Sequence, residues 1–349
     1  MNNYILKQGD ITSHFFYIPN QGIAQRTKQL NLWQNHRIIL KNSTDAFSVF
    51  KDEADPSVNI ISITDKNELL YTIIKEGCEK SFILTTLKEE MKVKNIKLFK
   101  TPMGLNIVYV ANYQGRLLLI HCILGNNAQP DTIDEIQNEN FTIYKNSVYY
   151  TNSKGILGYK NLSDGRADIF NSITPNAVSP YLLNCLGKDY LVYIKDKKIH
   201  LQNRPIIDDP LAKNPIILEN NGSLLVMWQS GDFLRFSSSD DRGETFTPSM
   251  QYVSSGKIPT LIHVINESTA FLYYATISPK DIKVFGKDDC FEKPNKTPPH
   301  PTDNAALSRF KILLDMEKRE VIKLKKDILL LSDAINELKK NNPPKPDKF

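Results

Sequence analysis

The sequence predicts an all-β fold, a β-propeller of seven blades, followed by a C-terminal α-helix with coiled-coil heptads. Three observations predict it. Short apolar runs separated by Gly, Asn, Asp, Ser and Lys turns fill residues 1–286. A phrase of run, polar turn and second run recurs along them. The last part of the chain then changes to a helical period.

The phrase appears in HFFYIPNQGIAQR (14–26), IISITDKNELLYTII (60–74), IVYVANYQGRLLLIHCI (107–123) and VYYTNSKGILGYKNL (148–162). It returns in YLVYIKDKKIHLQN (190–203), LLVMWQSGDFLRFSSS (224–239) and FLYYATISPKDIKVFG (271–286). With Pro19, Asp65, Asn112, Asn152, Asp196, Ser230 and Ile277 as turn marks, the steps are 46, 47, 40, 44, 34 and 47 residues. Repeats of roughly 40–50 residues, each about four strands, are the period of a propeller. Six blades would follow if the first mark were spurious or if the N-terminal segment completed an edge blade. A β-sandwich or two smaller β domains is the alternative to a ring. Within each phrase the first run is the more apolar, which suits an inner strand buried on both faces. One further strand precedes it, as IKLF (96–99) does, and another follows, as SFILTTL (81–87) does. TTLKEEMKVKNIKL (85–98) fits helix or strand.

From the end of the sixth phrase onward, Ser239, Asp241, Gly243, Thr245 and Phe246 fall on the pattern Ser-x-Asp-x-Gly-x-Thr-aromatic. An Asp carboxylate accepts bonds from amides of its own turn. Gly supplies a positive φ, the hydroxyls satisfy the remaining turn groups, and Phe246 plugs the hairpin. The stretch resembles the Asp-box, or BNR repeat, of sialidase-like propellers. The resemblance implies a turn joining the third and fourth strands of a blade, with a structural and not a catalytic role. It covers one hairpin directly.

Enzymes of that family hold a carboxylate with three arginines beside an acid, a Tyr nucleophile and a Glu. Arginine clusters make strong bidentate bonds to carboxylates. Here residues 1–286 hold Arg26, Arg37, Arg116, Arg166, Arg204, Arg235 and Arg242, and the family's early Arg-Ile-Pro motif is missing. A triad from Arg26, Arg116 and Arg235, on or next to second-run strands, is the one arrangement left open. No P-loop, dinucleotide or nucleophile-elbow motif occurs. His14, His36, His121, His200, His263 and His300 show no HxH or HxxxH spacing, so no metal or cofactor is expected. The acidic pairs Asp208–Asp209 and Asp288–Asp289 read as solvated loop residues, and Trp33 and Trp228 as core.

The net charge is +5, of which residues 287–349, with 14 Lys+Arg against 11 Asp+Glu, carry +3. A nearly neutral body does not point to a specific nucleic-acid partner. Cys78, Cys122, Cys185 and Cys290 form no CxxC pair. No apolar run approaches the ~20 residues of a membrane span, and the N-terminus lacks the pattern of a signal peptide. A cytoplasmic location with reduced thiols is expected.

Residues 287–303, polar and proline-rich, read as a linker. Residues 304–342 read as an amphipathic, coiled-coil helix, and 343–349 as a disordered tail. Leu314, Val321, Ile328 and Ile335 fall at heptad a, and Leu324, Leu331 and Leu338 at d. β-branched a with Leu d favours two parallel strands. Glu320 at g faces Lys325 at the following e. Ile312, Leu313, Ile322, Leu329 and Leu330 widen the apolar face, which leaves open a trimer, a partner helix or docking on the propeller. The leading expectation is a non-enzymatic protein- or glycan-binding propeller, made multivalent by homo-oligomerisation. A sialidase-like glycoside hydrolase and a structural assembly protein are the alternatives.

Overall fold

The computed structural model describes residues 2–285, apart from 30–31, 126–129, 163–168, 186, 221, 253–258, 267–268 and 279–280. The linker, helix and tail expected at 287–303, 304–342 and 343–349 lie outside the described residues, as do Leu314, Val321, Leu324, Ile328, Leu331, Ile335 and Leu338.

Every described element is a strand, and no helix occurs among the described residues. The strands are laid down as consecutive antiparallel units, numbered I to VII here. Three units are separate four-stranded sheets: II (43–86), V (177–208) and VI (212–252); units I (3–41), III (91–136), IV (136–175) and VII (260–284) are joined in pairs. Units III and IV share the long strand Asp131–Tyr144. Its first half pairs with Arg116–Ile123, its second half with Ser147–Asn152, and the register shifts between Ile136 and Phe141. One strand thus ends unit III and begins unit IV.

Units VII and I are joined through their first strands. Asn3–Gln8 pairs antiparallel with Ile11–Ile18 in unit I and parallel with Thr260–Asn266 in unit VII, Tyr4 opposite His263. Two segments about 260 residues apart in sequence therefore meet in one ladder.

The core is a series of seams between units. Unit I packs on II through Phe15, Ile23, Phe47 and Ile60. Unit II packs on III through Ile61, Ile63, Ile107 and Tyr109. Unit III packs on IV through Val108, Val110, Val148 and Tyr150. Unit IV meets V at Leu157, Leu191 and Tyr193. Units V, VI and VII share Tyr190, Leu224, Trp228 and Tyr274, and VII meets I at Ile5, Ile262 and Val264. Each unit is thus covered on both faces by its neighbours, and the last covers the first. This is the closed arrangement of a β-propeller.

Strand alternation makes the seams possible, because successive side chains point to opposite faces. In Gly104–Tyr113, Ile107, Tyr109 and Ala111 enter one seam while Val108 and Val110 enter the next. Val58–Thr64 is buried at every residue for the same reason.

All seven turn marks fall in, or within two residues of, the turn between the second and third strands of a unit. One local expectation needs correction, and one open segment is settled. The most apolar run is the second strand from the axis, not the innermost; the preceding strand, such as Met91–Thr101, lines the axis. Met91–Thr101 is also strand, which settles the segment that fitted helix or strand.

Candidate functional site

The first strands of the units run along the axis and leave a cavity at each end. The larger, about 790 Å³, is lined by Phe50, Phe99, Tyr144, Leu183 and Phe271 among others. The smaller, about 440 Å³, includes Asn95, Asn140, Gln229 and Tyr274 in its wall. Lys97, Thr142, Tyr181, His263 and Leu272 line both, so they form the neck between the two mouths.

Alternation aims these side chains. Lys97 lies between Ile96 and Leu98, both committed to the seam of units II and III. Its own side chain is thereby turned away from that seam. His263 is placed in the same way between Ile262 and Val264. Tyr4 stacks on His263, the rings 4.6 Å apart and 12° from parallel. Tyr181 of unit V accepts a hydrogen bond from the Leu272 amide of unit VII at 3.2 Å.

Most charges at the larger mouth are paired. Lys100 bonds Asp52 across units III and II. Lys145 bonds Asp189 at 3.2 Å across units IV and V, and Tyr144 donates to the same carboxylate at 2.5 Å. Lys97 is different. Its ammonium lies 5.3 Å from the centroid of Phe141, and among the described residues no carboxylate pairs with it. Burial pulls its pKa down to about 8. Burial, with the nearby Lys97 charge, holds His263 down to about 3, so its ring is neutral at pH 7.

The Ser239–Phe246 stretch lies elsewhere, on the seam of units V and VI. It joins the third strand, Phe233–Ser239, to the fourth, Met250–Tyr252. Ser239 Oγ donates to Asp241 at 2.7 Å and accepts from the Gly243 amide at 2.8 Å. Asp241 also accepts from the Thr245 amide at 2.8 Å and the Thr245 hydroxyl at 2.5 Å. These bonds hold its carboxyl far below the usual range. Gly243 has φ +92°, and a Cβ there would stand 2.8 Å from Leu201 Cδ2. Phe246 packs against the cluster of units V, VI and VII. Arg204 of unit V clamps the turn by donating to the Gly243 and Glu244 carbonyls.

The arginine triad left open by the sequence does not assemble. Arg26 donates to His14 at 3.1 Å and lies 4.6 Å over the Trp33 ring. Arg116 bonds Glu135, and Arg235 lies 3.6 Å from Asp209. No arginine lines either mouth among the described residues. Among the described residues, no group of three or more His, Cys, Asp or Glu is placed to hold a metal.

Asp209 corrects another expectation. It is buried and accepts from Trp228 Nε1 at 2.8 Å and the Leu211 amide at 3.0 Å, so it is a core anchor and not a solvated loop acid. Asp288 and Asp289 lie outside the described residues. Sequence reasoning missed the neck. The available signal was a lysine inside the run IKLF, at a position where alternation calls for an inward residue.

No family model and no curated protein matches the chain. Among solved structures, it is similar to the fucose-recognising lectin of Aleuria aurantia, described as a six-bladed β-propeller. That match has 9% identity, a TM-score of 0.45, and covers 81% of this chain and 94% of that one. It is also similar to SapL1 lectin, solved with alpha methyl fucoside, at 7% identity and TM-score 0.43, covering 73% and 97%. A putative oxidoreductase (glucose dehydrogenase) of Thermus thermophilus matches at 11% identity and TM-score 0.41, covering 68% and 94%. Likenesses this distant transfer neither a ligand nor a residue role to this chain.

Proposed function

We propose that this chain is a non-enzymatic binding module that seats a glycan in its larger axial cavity. The scaffold is a seven-bladed propeller with one Asp-box-type turn, and the heptad segment 304–342 joins copies into a multivalent assembly. The observation that carries the reading is the character of the larger mouth. Phe50, Phe99, Tyr144 and Phe271 line a cavity of about 790 Å³, while Lys100 and Lys145 are tied to Asp52 and Asp189.

Binding sites combine apolar and aromatic walls with a few fixed polar groups. Aromatic faces pack against the C–H faces of a pyranose, and the amide oxygen of Asn184, whose NH2 donates to Asp189, can accept from its hydroxyls. An arginine-based carboxylate clamp, which a sialidase-like mechanism needs, has no counterpart among the described residues of this mouth. Joining copies raises effective concentration without any new contact, which suits weak single-site glycan binding.

The test is a glycan array with the full chain, followed by calorimetry on the hits. Phe99→Ala and Phe271→Ala should each weaken binding about tenfold, the effect of about 1.4 kcal/mol. A panel without any hit, or variants that bind like the parent chain, would overturn the reading.

A further inference from the structure

Lys97 is expensive to keep where it is. An ammonium in a protein-walled neck loses hydration, and here no carboxylate among the described residues compensates it. Methionine would fill nearly the same volume without that cost. The Phe141 ring, 5.3 Å away, offsets part of that cost as a cation–π contact, but a ring face carries no formal charge, so packing alone gives no reason for a lysine between Ile96 and Leu98.

The neighbours define what would compensate it. His263 is neutral and carries one N–H donor and one acceptor nitrogen. The Tyr181 hydroxyl accepts from Leu272 and retains its own proton to give. Thr142 lines the same neck. One cation among neutral donors matches a group with a single negative charge and two acceptor oxygens. A phosphate dianion would bring a second charge with nothing to balance it.

We propose that the neck binds the carboxylate of a ligand seated in the axial cavity, with Lys97 as counter-ion and His263, Thr142 and Tyr181 as neutral partners. This rests on the cavity being the binding site, and it narrows the ligand to an acidic one, such as a uronic acid. The other charged groups lining the two mouths are Asp52, Glu53, Lys100 and Lys145 on one side and Lys94 and Glu139 on the other. Burial raises the Tyr4 and Tyr181 hydroxyls above their usual range. With His263 neutral, Lys97 is the group of the neck that titrates near pH 8.

The experiment measures binding of glucuronate, glucose and acetate to the full chain between pH 6.5 and 9.5, alongside Lys97→Met. Glucuronate should bind at least tenfold more tightly than glucose at pH 7. Its affinity should fall about tenfold per pH unit above about 8, as the ammonium loses its proton. Lys97→Met should abolish the preference for glucuronate. Without ligand it should melt at a higher temperature than the parent chain, a gain that a lysine needed for the fold would not give. Acetate bound without either sugar would support the carboxylate site and sink the glycan reading. Equal binding of glucuronate and glucose, unchanged in Lys97→Met, would overturn the carboxylate proposal and leave the glycan reading standing. No binding of any probe would overturn both.

Discussion

Asp241 accepts hydrogen bonds from the Ser239 hydroxyl, the Thr245 amide and the Thr245 hydroxyl, and all three donors lie within four residues of it. Bonds to the ionised form favour it, so the folded state holds this carboxyl below its unfolded value. The stability it contributes is present above the unfolded carboxyl pKa and is lost as pH falls through the folded one. Asp241→Asn should therefore be less stable than the parent chain at neutral pH, with the difference shrinking below about pH 4, the unfolded value. Thermal melts at stepped pH would read this, and a constant difference down to pH 2 would refute it. Gly243→Ala should cost about 1–3 kcal/mol through strain at positive φ, since the new Cβ also meets Leu201. Denaturant midpoints would measure it. These residues were legible in the sequence because their partners are local. Lys97 and Asp209 were not, because the groups around them come from strands far along the chain.

The hairpin between the second and third strands is the most legible element. Its turns need left-handed backbone, and the sequence supplies residues that accept it: Asn20, Asn67, Gly115, Gly155 and Gly231 all have positive φ. One turn is less well served. Asp196 and Lys197, between Lys188–Lys195 and Lys198–Leu201, have φ of 50° and 62°. Two successive positive φ values are the demand of a type I′ turn, where Asn-Gly is preferred. Lys197→Gly should stabilise the protein by about 0.5–1 kcal/mol, because the roughly 1–2 kcal/mol of strain removed at a left-handed position exceeds the roughly 0.5–1 kcal/mol of extra chain entropy that glycine loses on folding; an unchanged or lowered melting temperature would count against it. The radial order of strands was less legible. A strand buried on both faces announces that it is sandwiched, as Val58–Thr64 is, but not that it lies nearest the axis. The axial strands carry mixed patterns, because one face enters a seam and the other meets the channel, as in Met91–Thr101.

At the scale of the molecule, a ring is only as stable as its last seam. Here that seam is closed by Asn3–Gln8, which pairs with Thr260–Asn266 and buries Tyr4, Ile5 and Leu6. Three such side chains are worth roughly 5 kcal/mol or more on burial, a large share of a typical domain's roughly 5–15 kcal/mol. Removing residues 1–8 would also leave the Thr260–Asn266 edge unpaired, and an exposed strand edge recruits other chains. Deletion of 1–8 should therefore give a protein that aggregates or loses its cooperative melting transition. Deletion of 304–349 should act in the opposite sense: the melting transition is kept, while the mass in solution falls to that of a monomer if the heptads join copies. Light scattering and calorimetry on both truncations separate the two roles. A cooperative, monomeric protein lacking residues 1–8 would show that the ring does not depend on its closing ladder, and a mass unaltered by loss of 304–349 would remove the multivalent assembly.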